Sequence, residues 1–221
     1  MTRSFGSRAP APVCGLLGEI ERVFSQRGGK PLSYSPAEAL GLLVLLRDVG
    51  RVGRVRLSRL LGLGEQGVRN LVRMLSEAGL VEKSGWGVAP GPRARLMLEG
   101  LRVVELLQRP SFLEDMGWRR VALVQLCLPR PPRLSVGDVL RLRDLVVAWG
   151  GLGAVVLVVG GDGRAVMVGG EETGFEAELS RLASEVAAPC AGVEGFVGFD
   201  SERGLWGSVY GFLEGLCRGR G

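Results

Sequence analysis

The chain has 221 residues, 28 basic against 23 acidic side chains, a formal net charge of +5 and no histidine. Its 46% hydrophobic content is ample for two cores of ordinary domain size, while apolar runs such as Ala154–Val159 fall far short of a bilayer span, so no membrane partner and no export signal are expected. Without histidine, acid–base catalysis would fall to carboxylate, lysine, tyrosine or cysteine, and no pairing of these stands out, so an enzyme is the weakest of the functional classes.

Residues 1–34 carry Arg3, Arg8 and the Ala9-Pro10-Ala11-Pro12 stretch, which read as a mobile start rather than as a minor-groove arm. A helix over Val13–Phe24 and the Arg27-Gly28-Gly29-Lys30 loop follow, expected to pack on the next helix or across a dimer. Ser35-Pro36-Ala37-Glu38 then has capping-box spacing with proline at the first helical position. That helix is apolar at Leu40, Leu43, Val44 and Leu46, and Gly50 and Gly53 break it. A short helix, Val55–Leu61, leads through Gly62-Leu63-Gly64 into a third, Glu65–Ala78. The inward positions of this third helix, Val68, Leu71, Val72 and Leu75, leave Glu65, Gln66, Arg69, Asn70, Arg73 and Ser76 on its outer face. Gly79 reads as a C-cap, and Leu80–Lys83 and Val88–Pro90 as a hairpin closed by Ser84-Gly85-Trp86-Gly87. Apolar residues Leu96, Leu98, Leu101, Val104 and Leu107 predict a further helix from Pro92 to about Gln108.

Three helices and a hairpin in this order predict a winged helix-turn-helix, which projects one helix into the major groove and straddles backbone with the hairpin. Arg69 and Arg73 are suited to guanine edges and Asn70 to adenine, with Glu65 and Gln66 beside them. Arg51, Arg54, Arg56 and Arg59 are the expected phosphate contacts, and Lys83 and Trp86 on the hairpin complete the DNA-binding set. Winged helices also serve as protein-docking modules, and that alternative places the chain in a nucleic-acid-processing complex. The charge distribution favours DNA: residues 1–110 hold 17 basic and 9 acidic side chains, net +8, whereas residues 111–221 hold 11 and 14, net −3. Only Lys30 and Lys83 among the basic residues are lysine, and arginine suits bidentate contacts to phosphate and guanine.

Beyond Pro110 the pattern alternates. A strand over Val121–Leu128, a helix over Ser135–Trp149 with Ser135 and Asp138 in capping-box positions, strands at Gly153–Val159 and Arg164–Val168 around a Gly160-Gly161-Asp162-Gly163 turn, a helix entered at Thr173-Gly174-Phe175-Glu176, and a strand over Val193–Phe199 give β-α-β-β-α-β. The predicted fold class is thus α+β, a winged helix-turn-helix followed by a ferredoxin-like domain with an extra helix from about Glu202 to Cys217. The predicted domains are residues 1–110 and residues 111–221, the second folding independently. The glycine clusters at 150–153 and 160–163 lack the strand-to-helix context of a phosphate cradle, and Glu171, Glu172, Glu176 and Glu178 sit at a helix start that favours acidic residues, so neither nucleotide nor metal is expected. Cys14, Cys127, Cys190 and Cys217 form no Cys-x-x-Cys; Cys127 and Cys217, in apolar runs, read as reduced core residues. Gly204, Gly207, Gly211 and Gly215 form a stripe that predicts close approach to the domain's own sheet or to a second subunit. Gly211→Leu should disturb that contact, and Ser208→Leu, on another face, should be milder.

The stretches Gly50-Arg51-Val52-Gly53-Arg54, Leu60-Leu61-Gly62-Leu63-Gly64-Glu65, Val68-Arg69 and Gly79-Leu80-Val81-Glu82 resemble archaeal winged-helix proteins that carry an uncharacterised α/β domain behind the DNA-binding half. Gln66, where a small residue is usual, and Pro90-Gly91-Pro92, where Thr-x-x-Gly is commoner, depart from that pattern. The resemblance implies a transcriptional regulator of archaeal source. The expected partners are double-stranded DNA and a second copy of the chain, with a small-molecule effector as a further candidate; no cofactor is expected and the expected location is cytoplasmic.

Overall fold

A computed structural model describes residues 12–26, 32–107, 111–168, 175–188 and 190–218. The basic start at Arg3 and Arg8, the 27–30 loop and the Thr173–Gly174 helix entry lie outside the described residues. Helix α1 (Pro12–Ser25) buries Val13, Leu16, Leu17 and Ile20, and α2 (Pro36–Val49) is buried over most of its circumference. The capping box that starts α2 is formed: the Ser35 side chain accepts from the Ala37 amide, and the Ser35 amide donates to Glu38 Oε2 at 2.7 Å. Helix α3 (Arg54–Leu61) ends at Gly62, whose φ of +63° is the left-handed conformation that lets the chain turn directly into α4 (Glu65–Glu77). Strands β1 (Val81–Ser84) and β2 (Gly87–Pro90) pair antiparallel, and a single Val52–Val88 bridge ties the hairpin to the segment before α3.

The helix expected to reach Gln108 stops early. Helix α5 (Pro92–Met97) gives way at Gly100, with φ +77°, to strand β3 (Leu101–Glu105). Helical spacing of leucines misled here because Val103 and Val104 are β-branched and pair with β4, while Leu107, counted among the apolar residues of that helix, is fully exposed. Strand β3 therefore precedes the boundary expected at residue 110 yet forms one edge of the sheet beyond it.

After α6 (Ser111–Asp115) come β4 (Arg120–Cys127), α7 (Val136–Ala148), β5 (Gly153–Val159), β6 (Ala165–Met167), α8 (Phe175–Val186), β7 (Gly192–Phe199) and α9 (Glu202–Arg218). The β-α-β-β-α-β chain order is present from β4 to β7, and the fold is mixed helix and sheet. The arrangement differs from a ferredoxin-like sandwich. Sheet order is β3-β4-β7-β5-β6, every neighbouring pair is antiparallel, and helices cover both faces instead of one. Alternation along the strands sorts the two cores: Ala122, Val124, Val156, Val193 and Val197 join Leu142 of α7 and Val209 of α9, whereas Val121, Leu123, Leu157 and Phe196 meet Leu113, Trp118, Leu179 and Ala183. Phe175, at the start of α8, is 40% exposed and stacks on Phe112 with ring centroids 4.4 Å apart.

Helix α9 runs through the middle of the molecule, buried from Gly204 to Leu216. A helix apolar on all sides belongs in a core. Its glycine stripe meets neither its own sheet nor a second subunit but the backbone of α7 and the turn after it. A Cβ on Gly207 would stand 1.9 Å from the Trp149 carbonyl oxygen, and one on Gly211 would stand 2.5 Å from that of Leu145. Ser208, expected on a tolerant face, is fully buried and donates to the Gly204 carbonyl at 2.8 Å. Across α9, Trp206 covers Gly41 of α2 and donates to the Leu60 carbonyl at 3.4 Å. Arg203 pairs with the buried Glu38 at 2.6 Å, and Tyr210 donates to Glu21 of α1 at 3.1 Å, so one apolar core continues from α1 and α2 into the sheet.

All four cysteines are paired, Cys14 with Cys217 and Cys127 with Cys190. The expectation of reduced core thiols is overturned. Separations of 203 and 63 residues lie beyond any spacing rule; α1 meets the end of α9, and the Cys127–Gly192 register brings the end of β4 beside the start of β7.

In the second core, Gln125 donates to Glu194 at 3.0 Å on the neighbouring strand, while Gln125 Oε1 is buried with no partner. Burial pushes the Glu194 carboxyl above its ordinary 4.5, and the Gln125 hydrogen bond only partly opposes it. Above that ordinary value the unfolded chain releases a proton that the fold retains, so this group makes stability fall as pH rises toward its raised value. Glu194→Gln keeps the acceptor and removes the ionisation. Its melting temperature should exceed wild type by a few degrees at pH 7 and match it at pH 4; equal melts at pH 7 would refute this account.

Candidate nucleic-acid interface

The outward face of α4 follows from its burial pattern. Val68, Leu71, Val72, Met74 and Leu75 are buried against α3 and the hairpin, which turns Glu65, Gln66, Arg69 and Arg73 to solvent and leaves Asn70 half-buried at the margin. These residues recur at three- and four-residue intervals and share one side of the helix. Gln66 Nε2 donates to Asn70 Oδ1 at 3.2 Å, so an adenine contact by Asn70 requires Gln66 to swing aside. Among the described residues no ion pair or hydrogen bond engages the guanidinium groups of Arg69 and Arg73.

Helix α3 and the chain before it expose Arg51, Arg54, Arg56 and Arg59, while Leu57 and Leu61 hold the helix to the core. Arg54, Arg56 and Arg59 have no side-chain partner among the described residues. Arg51 differs: its guanidinium donates to Ser84 Oγ and, at 3.4 Å, to the Gly87 carbonyl, so it ties the hairpin to the α2–α3 connection. Sequence reasoning assigned Arg51 only a phosphate contact; the 33-residue gap to Ser84 hid the second role. Lys83 lies on β1, and Trp86 at the hairpin tip is 90% exposed. Val55, 53% exposed between Arg54 and Arg56, is the apolar member of this surface that the sequence did not single out as exposed.

The expected set thus falls on three adjoining pieces, α4, α3 with its preceding segment, and the hairpin, held together by the Val52–Val88 bridge and by Gly87, where a Cβ would stand 2.7 Å from the Val52 carbonyl oxygen. The surface is rich in guanidinium groups that have no partner among the described residues, a chemistry suited to a groove and its phosphates. Concave sites lie elsewhere. A cleft of about 730 Å³ is lined by Met116, Trp118, Arg143, Asp144, Val147 and Leu152, and another of about 480 Å³ includes Ser35, Glu38, Trp149 and Arg203. Among the described residues no three potential metal ligands converge, and Glu171 and Glu172 lie outside them.

No protein-family model matches the chain, and no curated protein does. A solved structure does. A hypothetical protein from Pyrococcus horikoshii OT3 superposes with a TM-score of 0.63 at 18% identity, covering 85% of this chain and 95% of that one. At that identity the likeness concerns the fold alone. No helix among the described residues is long and apolar enough to cross a membrane.

Proposed function

We propose that α2, α3, α4 and the hairpin are a winged helix-turn-helix and that the chain is a sequence-specific double-stranded DNA-binding regulator of transcription, not an enzyme. The observation that carries this reading is Arg69 and Arg73, without a partner among the described residues, beside Gln66 and Asn70 on one face of α4, flanked by Arg54, Arg56 and Arg59. Helix α4 reads bases, α3 and the hairpin hold phosphates, and the half from β4 onward mediates assembly as a homodimer, with the 730 Å³ cleft as its concave surface. The location in this reading is cytoplasmic, and with two disulfides it requires a compartment that does not reduce them.

Arg69→Ala and Asn70→Ala should each weaken a selected site by about 1–3 kcal/mol and relax its sequence preference. Arg54→Ala should weaken all duplexes alike and lower the salt slope by about 1. Titrations of selected and random duplexes at several salt concentrations test both, and wild-type binding by all three variants would refute the groove assignment. The second reading, a protein-docking module in a nucleic-acid-processing complex, draws on exposed Trp86 and Val55. It requires that duplex affinity be absent at low salt.

A further inference from the structure

The outer face of α7 leaves several apolar side chains open to solvent. Val136, Leu140 and Val147 align along one side of the helix, and Leu152 and Met116 continue the patch into the 730 Å³ cleft; these five side chains are 42 to 55% exposed. An aligned patch of this kind marks an interaction surface, unlike apolar residues scattered singly. Inside the stripe the charges are Arg143 and Asp144, adjacent, opposite in sign and 3.6 Å apart.

We propose that α7 is the homodimer interface, with a two-fold axis passing between Arg143 and Asp144 of two antiparallel copies of the helix. The register follows from that axis. Position 143 meets the partner's 144, 140 meets 147, and 136 meets 151, so Arg143 faces the opposite charge, Leu140 packs on a valine, and Val136 enters the cleft bordered by Leu152 and Met116. An isologous contact needs a surface complementary to itself under rotation, and this stripe is so in charge and in apolarity. The surface is also free of the proposed DNA contacts, because α7 packs on α9 and β5 whereas α4 packs on α3 and β1. The inference rests on the assembly role proposed above and specifies its surface and partner.

Sedimentation equilibrium of the full chain should return a dimer at micromolar concentration. Leu140→Asp should weaken it about 100-fold, with the melting temperature of the monomeric unit kept because the side chain is already exposed. Arg143→Asp and Asp144→Arg should each weaken it about tenfold, and the double exchange should restore the wild-type constant. A monomeric wild type, a Leu140→Asp dimer of undiminished strength, or a double exchange no better than the single ones would overturn the proposal. Random-duplex binding, measured on the Leu140→Asp monomer, judges the DNA reading separately, since that binding needs no second copy.

Discussion

Gly207→Ala should lower the melting temperature by about 6–12 °C, the counterpart of about 3 kcal/mol in a chain of this length. Helix propensity alone predicts the opposite sign, since alanine in a helix interior is favoured over glycine by about 1 kcal/mol. The contact decides it. The added Cβ would lie 1.9 Å from the Trp149 carbonyl oxygen, a backbone atom that cannot rotate aside, so α9 must move away from α7 or break its own geometry. Gly211→Leu should be worse, because its Cβ alone meets the Leu145 carbonyl at 2.5 Å before the remaining atoms are placed. Gly18→Ala in α1 supplies the control: nothing lies within 4 Å of its added Cβ, and the variant should gain up to about 1 kcal/mol. Thermal melts of the three variants check this, and a Gly207→Ala protein as stable as the Gly18→Ala one would show that α7 and α9 are not in contact.

A fragment of residues 111–221 should fail to fold cooperatively. It lacks β3, and so opens the edge of β4; it also exposes the face of α9 that Trp206 and Tyr210 turn toward α2 and α1. Cys217 and Arg203 lose Cys14 and Glu38 as well. Far-ultraviolet dichroism without near-ultraviolet signal, and strong binding of an apolar dye, are the expected signature. A sharp cooperative melt of the fragment would show that the two halves are separate folding units after all.

What could be read in the sequence was local. Ser35 with Glu38 and Ser135 with Asp138 form the capping boxes their spacing announces, and the outward set of α4 follows from a period that needs no knowledge of the rest of the chain. The glycine stripe announced a close approach but not the partner, because spacing along one helix is silent about which element lies opposite. The features missed depend on remote residues. The pairing of β4 with β3 turned an apparent helix into an edge strand, and the insertion of β7 between β4 and β5 set a sheet order that chain order leaves open. Cystine pairing and the Arg51 tie to Ser84 are of the same kind, contacts fixed only once distant segments have met.

The bond between Cys14 and Cys217 closes a covalent ring, since it joins positions 203 residues apart. In the chain-entropy picture, closing a loop of that length removes about 5 kcal/mol of freedom from the unfolded state. The second bridge, spanning 63 residues, divides the ring into two linked circuits. A single break in the peptide backbone between Cys14 and Cys217 therefore releases no fragment, and the two new ends stay tethered within one molecule. A cut between Cys127 and Cys190 is spanned by both bridges, and one elsewhere in the ring by the Cys14–Cys217 bond alone.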